Sequence, residues 1–292
     1  MTTNKAFIKR YPVLIYYVLT FAISWGCLLL AIGGPSGIPA NSEQFGKLLP
    51  VVILALLAGP TIAGLLLTGL VQGWAGLREL LSRLLRWRVS VRWYVVALLT
   101  APLLFTAIPL ALSLLFPEFL PGIFITDDKA SLLLMGIAAG LSAGIFEELG
   151  WTGFVIPRLK LRYSVLTAGL IVGFLWGAWH FLVNFWSSGR DSSSGALSLA
   201  LLLTSLLFSV GILPAYRVLM VWVYDRTGSL LVAMLMHLSL TASNVILAPL
   251  ATGVLPVIWV LALAAALWIV VAAVAVANRG QLSQQPLQRQ VV

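Results

Sequence analysis

The sequence predicts an all-α integral membrane protein, a bundle of about eight transmembrane helices. Hydrophobic residues make up 61% of the 292 residues and charged residues only 9%, and the mean hydropathy is +1.04. This composition leaves too few polar side chains to cover the surface of a soluble domain of this size. A helix that crosses a membrane needs roughly 20 apolar residues, so the spans can be counted from the sequence.

Eight apolar stretches of that length follow one another along the chain. They run from Tyr11 to Gly33, Leu48 to Gly73, Trp93 to Phe116, Ser131 to Pro157, Ser164 to Trp186, Ala196 to Tyr224, Ser229 to Leu250 and Val254 to Ala277. The first is preceded by basic residues, as a signal peptide is, but its apolar part is longer than a signal peptide requires. We therefore expect a single transmembrane domain over residues 1–277.

Basic residues predict the orientation, because short cytoplasmic loops collect Lys and Arg. With the N-terminus in the cytoplasm, every basic residue except Lys47, Lys129 and Arg190 falls on the cytoplasmic side. This assignment places Arg217 and Arg226 in the cytoplasm. Both termini are then cytoplasmic, in a multi-pass protein of the cell membrane. The net charge of +9 is explained by topology and by attraction to anionic lipid in the bilayer, and we expect no nucleic-acid partner.

Two segments outside the spans have their own patterns. From Trp74 to Trp93, leucines recur at helical spacing and arginines lie largely on the other faces. This pattern predicts an amphipathic helix at the membrane interface, with a plain basic connector as the alternative. The Gln-rich segment over residues 278–292 is predicted to be a disordered cytoplasmic tail.

Ionisable side chains inside the predicted spans indicate where the function lies. Glu147 and Glu148 share the fourth span, His180 lies in the fifth and His237 in the seventh. An ionised acid at the centre of a membrane helix costs roughly 2.5 to 3.5 kcal/mol on insertion scales. The acid pair therefore needs partners or a hydrated cavity, and the two histidines are the candidates to share it.

Helical spacing groups further polar residues with the histidines, because residues four apart share a face. The two stripes are Trp176, His180 and Asn184 in the fifth span and His237, Thr241 and Asn244 in the seventh. Glu147 and Glu148 point about 100° apart around their helix. We therefore expect one of the two acids to contact the reacting atoms and the other to support it.

These residues resemble the CPBP intramembrane proteases, which include the type II CAAX prenyl endopeptidases and the bacteriocin-processing, or Abi, proteins. That family carries four ordered patches on the transmembrane helices of an eight-span core, namely EExxxR, FxxxH, a polar segment and HxxxN. The corresponding segments here are Glu147-Glu148-Leu149-Gly150-Trp151-Thr152, Trp176-Gly-Ala-Trp-His180, Trp222 to Ser229, and His237 to Thr241. The resemblance covers about residues 140–244, within a CPBP-like core of about residues 131–250.

Two positions depart from the family's pattern. Thr152 stands where the family usually has arginine, which removes the natural counter-ion of the acid pair, and Arg158 is a candidate replacement. Thr241 stands where asparagine is frequent, and Asn184 and Asn244 are candidate substitutes. These departures leave open a catalytically degenerate member that binds a peptide, or confers immunity, without cutting it.

The resemblance implies hydrolysis of a peptide bond in a membrane-associated substrate, such as a prenylated CAAX-type protein or a leader peptide. Glu147 is then expected to act as general base on a water molecule that His180 helps to position. His237 and Thr241 are expected to donate to the oxyanion, with Glu148 in support.

Two alternatives concern the chemistry of the same residues. Glu147, His180 and His237 are also a ligand set of hydrolytic zinc sites, and their spacing on three helices is compatible with either a zinc or a metal-free mechanism; we prefer the metal-free one. Intramembrane acids and histidines also occur in proton-coupled transporters. The sequence shows no inverted hydropathy repeat of the kind that many transporters have, which counts against that interpretation.

Overall fold

The computed structural model describes residues 3–278 and 282–283. Within them, eight helices are long and apolar enough to cross a membrane. We label them α1 (Pro12–Ala31), α2 (Ser42–Leu84), α3 (Val91–Ser113), α4 (Lys129–Leu159), α5 (Val165–Ser187), α6 (Leu199–Thr227), α7 (Leu230–Leu247) and α8 (Leu255–Ala277). Each predicted span corresponds to one of these helices, so the all-α, eight-span fold is confirmed. The predicted tail lies almost entirely outside the described residues.

Short elements connect the spans. A helix over Thr3–Arg10 precedes α1, single 3₁₀ turns cover Pro35–Gly37 and Pro117–Phe119, and a short helix covers Gly122–Ile125. Apart from an isolated bridge between Pro121 and Pro249, the described part of the chain forms no β-structure.

The segment predicted to form an interfacial helix is helical over a shorter range than expected. Gly73 interrupts α2 with a φ of +64° and a ψ of −153°, a backbone conformation that glycine adopts far more readily than other residues. Beyond this kink the helix continues only to Leu84, and α3 begins at Val91. Leu80 packs against Leu230 and Met234, and Leu84 packs against the same cluster, so the segment after Gly73 is attached to α7 through two of its leucines.

Three helices are interrupted where they carry the candidate site. The segments are Lys129–Gly150, a π turn over Trp151–Val155 and Ile156–Leu159 in α4; Val165–Trp179 and Phe181–Ser187 in α5; and Leu199–Leu207, a π turn over Phe208–Ile212 and Leu213–Thr227 in α6. His180 is the residue at the break in α5. π turns inside α-helices occur frequently at functional sites, and both of these contribute residues to the site described below.

Rows of glycine bring two pairs of these helices together. The rows are Gly136, Gly140 and Gly144 of α4, facing α7, and Gly169, Gly173 and Gly177 of α5, facing α6. A Cβ on Gly140 would lie 2.6 Å from the carbonyl oxygen of Leu238, and a Cβ on Gly173 would lie 2.5 Å from the Cα of Pro214. Small residues at this spacing allow membrane helices to approach closely. They set the distance between the backbones that carry the site.

The connecting segments gather at two opposite ends of the bundle. At one end, the Ser229 hydroxyl donates to the Arg86 carbonyl and Lys160 pairs with Asp225. These contacts join the segments that follow α2, α4 and α6. At the other end, the backbone N–H of Ala40 donates to the Trp186 carbonyl, and the Pro121–Pro249 bridge joins the segments that follow α3 and α7. This alternation is what eight consecutive spans require.

Candidate active site

A cavity of about 430 Å³ lies between α4, α5, α6, α7 and α8. Its volume is within the range of about 300 to 1,000 Å³ that is usual for ligand pockets. The predicted site residues that line it are Glu147, Trp176, His180, Asn184, His237, Thr241 and Asn244. The structure therefore brings both polar stripes and one member of the acid pair to a single cavity inside the bundle.

Two tryptophans hold the carboxylate of Glu147, which is only 4% exposed. Its Oε2 accepts hydrogen bonds from Nε1 of Trp176, at 2.7 Å, and from Nε1 of Trp151, at 3.3 Å. Trp151 lies on the π turn of α4, four residues after the acid. Among the described residues no donor is found for Oε1. One oxygen of Glu147 is thus held by protein donors, and the other keeps its lone pairs for a water molecule.

Glu148 is fully buried and links three helices. Nη1 of Arg217, on α6, donates to both carboxylate oxygens at 2.8 Å. Nδ1 of His237, on α7, lies 2.7 Å from Oε1, and the hydroxyl of Thr152 donates to Oε2. All of these partners are themselves buried. Glu148 does not line the cavity and is placed to orient His237 and Arg217.

The prediction that Arg217 lies in the cytoplasm is wrong. Its side chain is fully buried within α6, and its guanidinium carbon lies 4.1 Å from the centre of the Trp176 ring. Arg158, the predicted replacement for the missing arginine, donates instead to the Phe154 carbonyl and to Oε1 of Gln72. It takes no part in the site. A lone arginine inside a predicted span indicates a buried ionic partner. The orientation prediction missed this because it counted Arg217 among the charges of a cytoplasmic loop.

Where the resembled motif has an arginine, this chain has Thr152, and the positive charge beside Glu148 belongs to Arg217 on another helix. Thr152 lies four residues after Glu148, so its hydroxyl reaches the carboxylate from the same face of α4. The positive charge comes from Arg217 of α6. The acid keeps a hydrogen-bond donor at the expected position and gains its counter-ion from a different part of the chain.

The hydrogen bonds of the two histidines define which ring nitrogen carries the proton. Nδ1 of His180 lies 2.9 Å from the Trp176 carbonyl oxygen, which can only accept, so this nitrogen is the donor and Nε2 of the neutral ring is an acceptor. Nδ1 of His237 likewise donates to the carboxylate of Glu148. His237 can therefore donate from Nε2 only when its ring carries a second proton.

Three residues of the site were not predicted: Trp151, Arg217 and Ser209. The hydroxyl of Ser209, on the π turn of α6, accepts from Nδ2 of Asn184 at 3.1 Å. Trp151 could have been found from its spacing of four from Glu147. Ser209 gave no comparable signal, because it is a small residue within an apolar helix.

In the described part of the chain, no group of three or more His, Cys, Asp or Glu side chains is placed to hold a metal ion. One oxygen of Glu147 is engaged by two indole N–H groups, and a catalytic zinc site needs three protein ligands directed at one point.

Fold and site together define a multi-pass membrane protein with a carboxylate and two histidines around a cavity within the bundle. The family model described as type II CAAX prenyl endopeptidase Rce1-like matches residues 129–243. This range contains every predicted site residue except Asn244. Residues 129–243 are therefore similar to this family, which agrees with the resemblance of the four sequence patches.

A curated relative agrees with the family match. CAAX prenyl protease 2 of Methanococcus maripaludis is 40% identical over 62 residues, which are 21% of this chain and 21% of that protein. The alignment thus spans about a fifth of the relative's length. The alignment supports the similarity to this family.

Proposed function

We propose that this chain is an intramembrane endopeptidase that hydrolyses a peptide bond with a water molecule activated by Glu147. The proposal rests on the buried carboxylate of Glu147, which lies at a cavity that His180 and His237 also line. Trp151 and Trp176 donate to its Oε2 only, so Oε1 is left to accept a hydrogen bond from a water molecule. A carboxylate within hydrogen-bond reach of a water molecule can act as its general base.

In the first step, Oε1 of Glu147 accepts a proton from the water molecule while the water oxygen bonds to the scissile carbonyl carbon. Nε2 of His180 is an acceptor in the neutral ring and can take the second hydrogen bond of the same water. The break in α5 at His180 and the bond from its Nδ1 to the Trp176 carbonyl hold the ring for this task.

In the second step, the carbonyl oxygen becomes an oxyanion that needs donors. The Thr241 hydroxyl supplies one, and Nε2 of a doubly protonated His237 supplies another. Glu148 accepts from Nδ1 of that ring and Arg217 orients Glu148. When the intermediate collapses, Glu147 returns its proton to the leaving nitrogen and the C–N bond breaks, which releases an amine and a carboxylic acid.

The substrate class follows from the family and from the position of the cavity. The matched family is described as prenyl endopeptidases of CAAX type, and the relative is named a CAAX prenyl protease. A cavity enclosed by spans suits a peptide that is anchored in the bilayer. We therefore propose a membrane-associated peptide or lipidated protein, with prenylated CAAX-type tails as the first class to test.

A peptide-binding member that does not cut is the second candidate, and Thr241 is the observation that favours it. Threonine keeps a hydroxyl at this position but lacks the reach of an amide, so the oxyanion has a weaker site than the family pattern supplies. The exchange of Thr152 does not favour this candidate, because Arg217 restores the missing charge.

Comparison of membranes that contain the wild type with membranes that contain Glu147→Gln tests the proposal. New peptide termini, identified by mass spectrometry, are expected with the wild type and absent with the variant. Glu118→Gln, in an exposed turn between α3 and α4, is the matched control and keeps the products. Captured peptides that are the same for wild type and Glu147→Gln, with no cleavage in either, would instead identify a binder.

A further inference from the structure

The first membrane helix contacts the candidate site from behind. No described residue of α1 lines the cavity, and the match to the family model begins only at Lys129. Tyr16 and Tyr17 of α1 nevertheless pack on the π turn of α4, and Trp25 contacts α5 at its break. The π turn of α4 and the break in α5 therefore share one neighbour.

Two tyrosine rings of α1 pack against the indole of Trp151. The ring centroids of Tyr16 and Trp151 lie 5.4 Å apart at an interplanar angle of 79°, and those of Tyr17 and Trp151 lie 5.7 Å apart at 31°. Aromatic pairs at these separations are favourable. The indole is fully buried, so in a close-packed interior it cannot turn without displacing a tyrosine ring. The direction of its N–H toward Oε2 of Glu147, 3.3 Å away, is thus set by a helix other than its own.

Tyr16 also packs along the π turn itself, which covers Trp151–Val155. Its ring stacks on Phe154, with centroids 5.5 Å apart and an interplanar angle of 26°. At the residue before the turn, a Cβ on Gly150 would lie 2.2 Å from the Tyr16 hydroxyl oxygen, so only glycine leaves room for this ring. Tyr16 therefore touches the turn at its start and near its end, and the position of Trp151 depends on the Tyr16 ring.

Trp25 supports the break in α5. Its Nε1 donates to the Trp179 carbonyl oxygen at 3.0 Å. Trp179 is the last residue before the break, and the carbonyl groups at the end of a helix lack intrahelical donors. The centroid of the Trp179 ring lies 4.8 Å from that of His180 and 5.8 Å from that of Trp151. Trp25 thus holds the residue that adjoins both the histidine and the indole.

Close packing on α2 fixes the position of α1. The Ser24 hydroxyl donates to the Leu56 carbonyl oxygen at 2.6 Å, and a Cβ on Gly59 would lie 2.4 Å from the Thr20 carbonyl oxygen. Small residues allow membrane helices to approach in this way. A helix held at this distance is a fixed support for the side chains that it directs at α4 and α5.

We propose that α1 positions the reacting groups of α4 and α5 through Tyr16, Tyr17 and Trp25. The two tyrosines direct the Trp151 indole at the carboxylate, and Trp25 holds the backbone break at His180. The inference rests on the proposed function, to which it adds a helix outside the segment matched by the family model. Because none of the three side chains lines the cavity, their loss is expected to lower kcat and leave KM unchanged.

A double-variant cycle tests whether Tyr16 acts through the indole N–H of Trp151. Tyr16→Leu is expected to lower kcat by about 10-fold in the wild type, the effect of a lost hydrogen bond to a charged group. Beside Trp151→Phe, which has no N–H to direct, the same change is expected to lower kcat by less than about twofold. Tyr16→Phe keeps the ring and should recover the rate that Tyr16→Leu loses. Equal losses in the two backgrounds overturn the proposal.

Two further variants complete the cycle. Tyr17→Leu is measured in both backgrounds with the same expectation, so that the test survives if Tyr16→Leu does not fold. Phe119→Leu is the matched control, because Phe119 is 1% exposed and packs on Phe116 in the turn after α3. Its effect on kcat is expected to be the same with and without Trp151→Phe. An effect of Phe119→Leu that also vanishes beside Trp151→Phe overturns the proposal, since the coupling would not be specific to α1.

Imidazole spectra test the role of Trp25 without any need for activity. The chain has only two histidines, so the ring ¹⁵N signals of a His-labelled protein are assigned with His237→Gln. Trp25→Phe is expected to shift the signals of His180 and to leave those of His237 in place. Trp268→Phe, which removes an indole bond to the Gly211 carbonyl, should leave both sets unchanged. Unshifted His180 signals in Trp25→Phe overturn the proposal.

Indole spectra test the role of Tyr16 in the same way. The N–H signal of Trp151 in a Trp-labelled protein is identified by its absence from Trp151→Phe. It is expected to move in Tyr16→Leu and to stay in place in Phe119→Leu; an unmoved signal in Tyr16→Leu overturns the proposal. If the wild type hydrolyses a farnesylated peptide no faster than Glu147→Gln, the proposed function has failed, while these spectra still decide whether α1 positions the two helices.

Discussion

Nη1 of Arg217 lies 2.8 Å from both carboxylate oxygens of Glu148, although the two residues are on different helices and neither is exposed. The pair supplies Glu148 with a positive charge, whereas the resembled motif has an arginine at the position of Thr152. Breaking a buried ion pair by removing one partner costs about 3 to 5 kcal/mol. Because Thr152 stands at the position of the motif's arginine, the counter-charge of Glu148 comes from Arg217 of α6.

Arg217→Met is expected to abolish cleavage and to lower the free energy of unfolding by about 3 to 5 kcal/mol, because Glu148 loses its counter-ion. The double variant Thr152→Arg with Arg217→Met returns the charge to the position used by the family and is expected to recover kcat. Thermal unfolding and cleavage rates are measured for both. A double variant that regains stability but not kcat would show that Arg217 does not act through Glu148.

Trp176→Phe is expected to lower kcat by about 10- to 100-fold, since a hydrogen bond to a charged group contributes about 1.5 to 3 kcal/mol. The change removes the 2.7 Å bond to Glu147 and keeps the aromatic ring. Trp268→Phe is the control, because its Nε1 donates to the Gly211 carbonyl away from the acid pair. Equal rates for the two variants would argue against a role for the indole in holding Glu147.

Thr241→Val is expected to lower kcat by about 100- to 1,000-fold, the usual effect of removing one oxyanion donor. Thr241→Asn, which installs the family's residue, should retain or raise the wild-type rate. Thr100→Val, at a hydroxyl bonded within α3, controls for loss of a membrane hydroxyl. Full activity in Thr241→Val would remove this side chain from the mechanism and strengthen the case for a binding protein.

Gly140→Ala is expected to destabilise the bundle by about 1 to 3 kcal/mol, as overpacking does, because the new Cβ meets the Leu238 carbonyl at 2.6 Å. The resulting separation of α4 from α7 also moves Glu148 away from His237, so cleavage should fall with stability. Gly69→Ala, where nothing lies within 4 Å of the added Cβ, should leave both unchanged. Unfolding temperature and cleavage rate are compared for the two variants.

Cleavage is expected to persist in a strong chelator, and elemental analysis of the active protein should find less than one zinc per chain. The structural reason is that no three-ligand cluster is placed to hold a metal ion among the described residues. Loss of activity in chelator, with recovery on adding zinc, would contradict the metal-free mechanism.

The number of membrane-spanning helices could be predicted from the sequence, because a membrane helix must satisfy all of its backbone hydrogen bonds internally. The length and hydropathy of each apolar stretch are then enough to identify a span. The lining of the cavity by Trp176, His180 and Asn184 followed from spacing alone. Arg217 could not be placed by spacing, because its partner lies 69 residues away in the chain and only the packing of both α4 and α6 against α7 brings them together. Neither π turn was predicted, since each depends on contacts with neighbouring helices.

Because the counter-charge of Glu148 resides on α6, it becomes available only after separately inserted helices have come together. A chain whose spans have entered the bilayer without associating exposes a lone carboxylate on one helix and a lone guanidinium on another, both unfavourable in hydrocarbon. Pairing of Glu148 with Arg217 thus stabilises the correctly assembled bundle, and assembly also brings His237 to Glu148. The geometry of the proposed site and tertiary association are, for this protein, reached together.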